Sequence, residues 1–278
     1  MKGMIFAGCS HTFGHGLWYY SGLDNIPYGD KHGVYHMNKN SYMKYTEANR
    51  YARLVVNHFE TYELVRGQTG GSEDVSLSFI ESLFSGSEKS TIIGVGGSKK
   101  KFDYDEIGYL IFQTSFVGRN KLIIEHEGKQ IELNNPYLYD TKEYGEFVNQ
   151  LLKYNINSFE EFNELLKKYT LNKIIKSFKF YESKGIKCRL FSWTNDYVDL
   201  IKTDTYLLDK LISMTYDNKK YDCILDMIKD GNEKLLINKD FEYFGSNPPN
   251  DSHPSKHLHK IIANNIISFI EKENYVNS

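Results

Sequence analysis

The chain opens on a short apolar run, Met4 to Ala7, that stops in Gly8-Cys9-Ser10 and passes into a mixed stretch, His11 to Gly16. An apolar run of this length bounded by small residues reads as a buried strand followed by a tight turn into a helix. That succession is the repeating unit of α/β folds, and it puts the turn at the strand's carboxyl edge, where open α/β sheets hold their chemistry. Gly8 admits backbone angles closed to other residues, and Ser10 then stands at that edge. A serine there has two uses. It caps the next helix, or it presents a hydroxyl beside backbone N–H groups able to stabilise an oxyanion.

The far end of the chain carries the complementary chemistry in Asn250 to Ala263. A serine hydroxyl is a poor nucleophile until a base takes its proton and a third group orients that base. His253 and Asp251, beside the stiff Pro254, supply those two residue types. Asp196, after an apolar strand pattern over 186–193, is the alternative acid.

Together these two stretches resemble the SGNH/GDSL hydrolase superfamily, and within it the divergent branch common in phage genomes. Gly8, Cys9, Ser10, Thr12 and Gly14 follow that branch's opening motif, with His11 where an aromatic is usual; Asp251, His253, Pro254, Ser255, His259 and Ala263 follow its closing one. The resemblance implies a three-layer α/β/α sandwich around a mostly parallel five-stranded sheet of flavodoxin-like type. It implies a catalytic triad of Ser10, Asp251 and His253 acting on an O-acyl ester, acetyl included, of a carbohydrate or small molecule. The wider superfamily places its acid three residues before the histidine, a position held here by Asn250.

The same resemblance fills in the oxyanion hole. The glycine-rich segment Arg66 to Asp74 takes the place of the second family block, so that the N–H of Gly70 joins that of Ser10, with Gly71 and Ser72 beside it and Glu73 where asparagine is usual. A tight turn needing positive φ explains the two glycines equally well. The apolar run Ile107 to Ser115 reads as a buried parallel strand. Its end lacks the superfamily's Gly-x-Asn-Asp block, leaving Gln113 or Thr114 as the third donor. His11, Arg119, Asn195 and Asp196 complete the expected lining.

Elsewhere, helical spacing marks Tyr51 to Phe59, Val75 to Phe84, and the closing segment after Ser255. The spacing over Leu171 to Lys184 predicts a helix stopped by Gly185 and leading into the strand Ile186 to Trp193, half of a parallel crossover. Leu122 to Leu133 alternates as a hairpin and, with helical patterns up to Tyr169, forms an expected insertion at about 120–169 in a single domain spanning 1–278. Leu17 to Tyr45 has little periodicity and reads as a loop over the sheet edge. Gly94 to Lys99 lacks the full phosphate-loop spacing and reads as a surface connection.

With 278 residues, 40% hydrophobic and 25% charged, the chain is long enough for one sizeable core. A net charge of −2 gives no electrostatic reason to bind nucleic acid. No run reaches the length that spans a bilayer. The 3 cysteines, Cys9, Cys188 and Cys223, have no paired spacing and suit a reducing compartment. Phe6 to Cys9 is similar to a lipoprotein box, but the apolar stretch before it is too short for a signal peptide. The expectation is therefore a cytoplasmic protein, in the host cytoplasm if viral, with no membrane or nucleic-acid partner; nothing sets its oligomeric state.

Two further readings remain open. Cys9, His11, His15, His253, His257 and His259 are zinc-ligand types without a paired motif, and no metal or cofactor is expected. A catalytically weak or inactive SGNH-like module that binds carbohydrate or belongs to a virion is the non-enzymatic alternative.

Overall fold

The computed structural model describes residues 2–20, 45–68, 72–86, 101–134, 141–246 and 248–276. Its strands are β1 (Gly3–Cys9), β2 (Glu63–Gln68), β3 (Ile107–Thr114), β4 (Lys121–His126), β5 (Lys129–Asn134), β6 (Lys187–Ser192), β7 (Met214–Tyr216) and β8 (Lys219–Tyr221). The helices named below are α1 (Ser10–Phe13), α2 (Tyr51–His58), α3 (Glu73–Ser85), α4 (Thr141–Leu152), α5 (Phe159–Glu182), α6 (Val198–Thr203), α7 (Thr205–Leu208), α8 (Ile224–Lys229), α9 (Phe241–Phe244) and α10 (Lys256–Val276).

Four strands pair in parallel in the order β2-β1-β3-β6. Helices cover both faces, so both sets of alternating side chains of the inner strands β1 and β3 are buried and these two read as near-continuous apolar runs. Met4 and Phe6 of β1, Tyr109 and Ile111 of β3, and Phe191 pack with α2 and α10. Ile5, Ala7, Leu110, Phe112 and Leu190 pack with α3 and α5. Leu258, Ile262, Ile266 and Ile270 recur every fourth residue of α10 and are buried. Burial of each such side chain stabilises the fold by roughly 1.5–3 kcal/mol.

The expected fifth strand is absent from the described sheet. Beyond β6 the chain touches its edge at two isolated parallel bridges, Leu190 with Leu211 and Ser192 with Cys223. Between them it leaves the sheet in the β7–β8 hairpin, whose two-residue turn, Asp217-Asn218, has φ of 47° and 61°. Positive φ at both turn positions matches the strands' twist and commits the segment to the hairpin instead of the sheet edge. Cys223 caps α8 rather than opening a strand.

The spacing over 171–184 also understates a helix. α5 begins at Phe159, where Ser158 accepts the Glu161 N–H and two glutamates occupy the first turn. It runs through Tyr169 without a break. β4, β5, α4 and the first turns of α5 share a cluster of their own, built on Leu122, Leu133, Phe147, Leu151, Phe162 and Leu166. The loop reading for Leu17 to Tyr45 lies mostly outside the described residues, apart from a 3-10 turn at Leu17–Tyr20. Gly94 to Lys99 lies outside them entirely. No described helix is long and apolar enough to cross a membrane.

Candidate active site

β1 delivers Ser10 to the carboxyl edge of the sheet, and α1 starts on it. Cys9 is the capping residue and makes no side-chain cap, so Ser10 Oγ is not used to cap the helix. It faces His253 Nε2 at 3.0 Å. Gly8 serves this turn through space rather than through unusual backbone angles. A Cβ there would lie 2.2 Å from Thr12 Oγ1 and 2.8 Å from Gln113 Cβ. Only a residue without one lets α1 fold back over β1.

His253 sits in a loop held by segments distant in sequence. Its carbonyl accepts from Ile237 N at 3.0 Å, that of Asp251 accepts from Asn238 N at 2.8 Å, and Ser255 N donates to Leu235 O at 2.8 Å. Asp251 Oδ1 accepts the backbone N–H of His253 at 2.9 Å and meets its ring Nδ1 at 2.5 Å. Burial alone would raise the Asp251 carboxyl. The His253 bonds and the nearby imidazole charge outweigh it and hold the group below its ordinary range. An ionised carboxylate only accepts, so the proton of neutral His253 belongs on Nδ1 and Nε2 is the acceptor that faces Ser10.

Two further histidines flank this pair. His11 stacks on Trp193 at 3.8 Å between ring centres, and its Nδ1 lies 3.0 Å from Cys9 Sγ. His15 lies 4.3 Å from the His253 ring. Burial first, then repulsion by His253, lowers both, His15 to about 4. Both are therefore neutral near pH 7. His259 is buried, accepts from Tyr51 N at 3.2 Å, and is lowered to about 3 by burial. His257 belongs to a surface cleft described below. The six candidate zinc ligands thus do not gather in one group; two of them, His15 and His253, come together with Asp251, their ligand atoms all within 4.8 Å of one another.

The remaining expected site residues take several places. Gly70 and Gly71 lie outside the described residues. Ser72 caps α3 through Val75 N. Gln113 is buried over Gly8, where its Oε1 accepts from Thr12 at 2.6 Å and its Nε2 meets Cys9 Sγ at 3.5 Å. Thr114 points to the opposite face and donates to Ser192 Oγ at 2.7 Å. Neither has a hydrogen bond to Ser10 among those between described residues. Asp196 accepts from Val117 N at 3.0 Å rather than approaching His253, and Asn195 is exposed beside it. Arg119 donates to Ser115 Oγ and lies over Phe116.

The sequence marks Glu73 only as standing where asparagine is usual; in the structure its carboxylate ties these edges together. Glu73 is buried at the start of α3, accepts from Ser115 N and from Asn120 Nδ2, each at 2.6 Å, and donates its backbone N–H to Asn120 Oδ1 at 3.2 Å. Burial pushes its carboxyl up to about 7, against the pull of those bonds and of Arg119. It joins the second strand-to-helix turn to the end of β3. The 235–238 segment that pins the His253 loop was equally silent, since single backbone bonds leave no periodic pattern.

A cleft of about 450 Å³ is lined by Tyr20, Lys234, Asp240, Glu242, Tyr243, Lys256, His257 and Lys260, and by none of Ser10, Asp251 and His253. Tyr20 belongs to the turn that follows α1, and Lys256 opens α10 just after the His253 loop. Asp240 is engaged by Tyr20 Oη at 2.6 Å and by Tyr243 N.

No protein-family model matches the chain, and no curated protein does. Similar solved structures include a carbohydrate esterase described as having divergent catalytic and non-catalytic binding functions, at 12% identity and a TM-score of 0.43. Another is the acetyl xylan esterase Est2A of the rumen bacterium Butyrivibrio proteoclasticus, at 12% identity and a TM-score of 0.42. Each match covers 98% of this chain but only 65% and 64% of the respective neighbour.

Proposed function

We propose that the protein is a serine ester hydrolase in which Ser10 is the nucleophile, His253 the general base and Asp251 its orienter. The observation that carries the reading is the continuous relay from Ser10 Oγ through His253 Nε2 at 3.0 Å and His253 Nδ1 to Asp251 Oδ1 at 2.5 Å. Three residue types that activate a hydroxyl meet in hydrogen-bond order, from two ends of the chain.

In this reading Ser10 Oγ attacks the ester carbonyl while its proton passes to Nε2. The carbonyl oxygen becomes an oxyanion, held by the N–H of Ser10 at the start of α1, with the N–H of Gly70 as the second donor that the sequence motif implies. Collapse breaks the bond to the alcohol, which takes the proton from Nε2 as it leaves. Water then repeats the sequence on the acyl-enzyme and releases the acid. His11 and His15, neutral near pH 7, leave His253 as the histidine that carries the proton. Gln113 acts through Thr12 and Cys9, holding the turn that bears Ser10.

The substrate class, an O-acyl and in particular acetyl ester of a carbohydrate or small molecule, follows the sequence motifs. Fluorophosphonate labelling tests the chemistry. Wild type is expected to label at Ser10 and to hydrolyse short-chain aryl esters, and Ser10→Ala to do neither. Equal labelling of the two proteins removes the proposal.

A further inference from the structure

His15 brings its ring within 4.3 Å, centre to centre, of the His253 ring. Its N–H donates to Ser10 O at 3.0 Å, which fixes the turn after α1. The next residue, Gly16, has φ of 87° and backs onto the acid so closely that a Cβ there would lie 3.1 Å from Asp251 Oδ2. Two loops anchored by backbone bonds therefore hold two imidazoles and a carboxylate in one place. Among the described residues it is the one group of three or more histidine, cysteine or acidic side chains whose ligand atoms come this close.

Two imidazole nitrogens and one carboxylate oxygen form a donor set that suits Zn2+ and its relatives, with a fourth position left for water. Bonds of about 2.1 Å in tetrahedral geometry set ligand atoms roughly 3.4 Å apart. The three ligand atoms lie within 4.8 Å of one another, with His253 Nδ1 and Asp251 Oδ1 at 2.5 Å, so binding widens that contact and draws His15 toward it.

We propose that His15, Asp251 and His253 form an inhibitory site for a divalent transition-metal ion such as Zn2+, which takes the place of the His253 Nδ1 proton. The proposal rests on the reading of His253 as the general base. A neutral imidazole carries one N–H, so a metal bound at Nδ1 leaves that proton on Nε2. No proton is lost from the ring; it changes nitrogen. Nε2–H then donates toward Ser10 Oγ and cannot accept from it. At the same time the metal draws Asp251 away from its orienting bond. The ion silences the serine without touching it. His15 contributes affinity for the metal and nothing to the ester reaction, which separates the two functions by mutation.

The test uses the full chain after EDTA treatment. Co2+ is titrated while its visible absorption is followed, Zn2+ binding is measured by calorimetry, and aryl-ester hydrolysis is assayed at each Zn2+ concentration. Wild type is expected to bind one ion and to lose hydrolysis by at least about tenfold at saturation, with recovery on chelation. His15→Gln is expected to hydrolyse like wild type in EDTA but to bind and be inhibited at least about tenfold more weakly, a loss on the scale of damaged metal sites. Inhibition with the same midpoint in His15→Gln, or full hydrolysis in saturating Zn2+, overturns the site alone. A wild type that neither labels with fluorophosphonate nor hydrolyses ester in EDTA overturns the triad reading and the inhibition with it.

Discussion

One carboxylate oxygen of Asp251 receives both the backbone N–H of His253, at 2.9 Å, and its ring Nδ1, at 2.5 Å. The two-residue spacing makes this possible, because an aspartate naturally accepts from the backbone two residues on. A single turn thus sets the loop and the ring together, and the shorter spacing than the superfamily's usual one places the acid within reach.

Asp251→Asn keeps an oxygen for both bonds but loses the charge that faces the imidazolium formed during reaction. The expected result is a kcat lower by roughly 10³–10⁴-fold, the scale seen for triad acids. The melting temperature should stay near that of wild type, whereas Asp251→Ala also removes the turn and should melt lower. Ester-hydrolysis kinetics with thermal melts check this. An Asn variant within roughly tenfold of wild-type kcat would show that Asp251 does not serve the base.

Gly8→Ala tests whether the turn is limited by space. Its Cβ would meet Thr12 Oγ1 at 2.2 Å and Gln113 Cβ at 2.8 Å, so α1 must lift from β1. Overpacking of this kind typically costs about 1–3 kcal/mol. Moving α1 also moves Ser10 relative to His253, so activity should fall further than stability predicts. Denaturant unfolding and fluorophosphonate labelling rate are the measurements; wild-type values in both would refute the steric account.

Thr12 and Gln113 are expected to act as one unit. If Gln113 holds the Ser10 turn by accepting from Thr12, then Thr12→Val, Gln113→Ala and the double variant should lose similar amounts of activity. The coupling energy should fall in the range of about 0.5–3 kcal/mol found for contacting pairs. If Gln113 instead donates to the oxyanion, Gln113→Ala alone should lose about 10²–10³-fold in kcat and Thr12→Val should not. A double-mutant cycle on kcat decides between them.

The inner strands and the proposed triad were legible because each leaves a local mark. β1 and β3 are buried on both faces and so appear as near-continuous apolar runs, and Ser10, Asp251 and His253 stand in short motifs. The missing fifth strand was not legible, because the outcome turns on how Asp217-Asn218 directs a hairpin against a neighbouring edge. Gln113 was read as a donor to the oxyanion, with Thr114 as the alternative; in the structure its partners are Thr12 and Cys9, from the turn that bears Ser10, and the strand's alternation says nothing of those. Glu73 looked like a departure from a family pattern. Its partners Ser115 and Asn120 lie beyond the next strand, and only the folded chain brings them to it.

Glu73 gives the clearest pH prediction. Its carboxyl is raised from the ordinary value of 4.5 to about 7, chiefly by burial. Between those two values the folded chain holds a proton that the unfolded chain has lost, so stability falls as pH rises through that window. The stability is fully present below about 4.5 and is lost progressively up to about 7, by an amount on the order of 3 kcal/mol at most. Glu73→Gln removes the titration while keeping the size of the side chain. The variant should therefore show a flatter dependence of unfolding free energy on pH from 4.5 to 7 than wild type. Because Glu73 joins the α3 start to Ser115 N, the variant should also lose activity at pH 7 while Ser10 still labels. Chemical unfolding at several pH values reads the first effect and ester kinetics the second; parallel pH curves for the two proteins would mean that Glu73 does not titrate in this range.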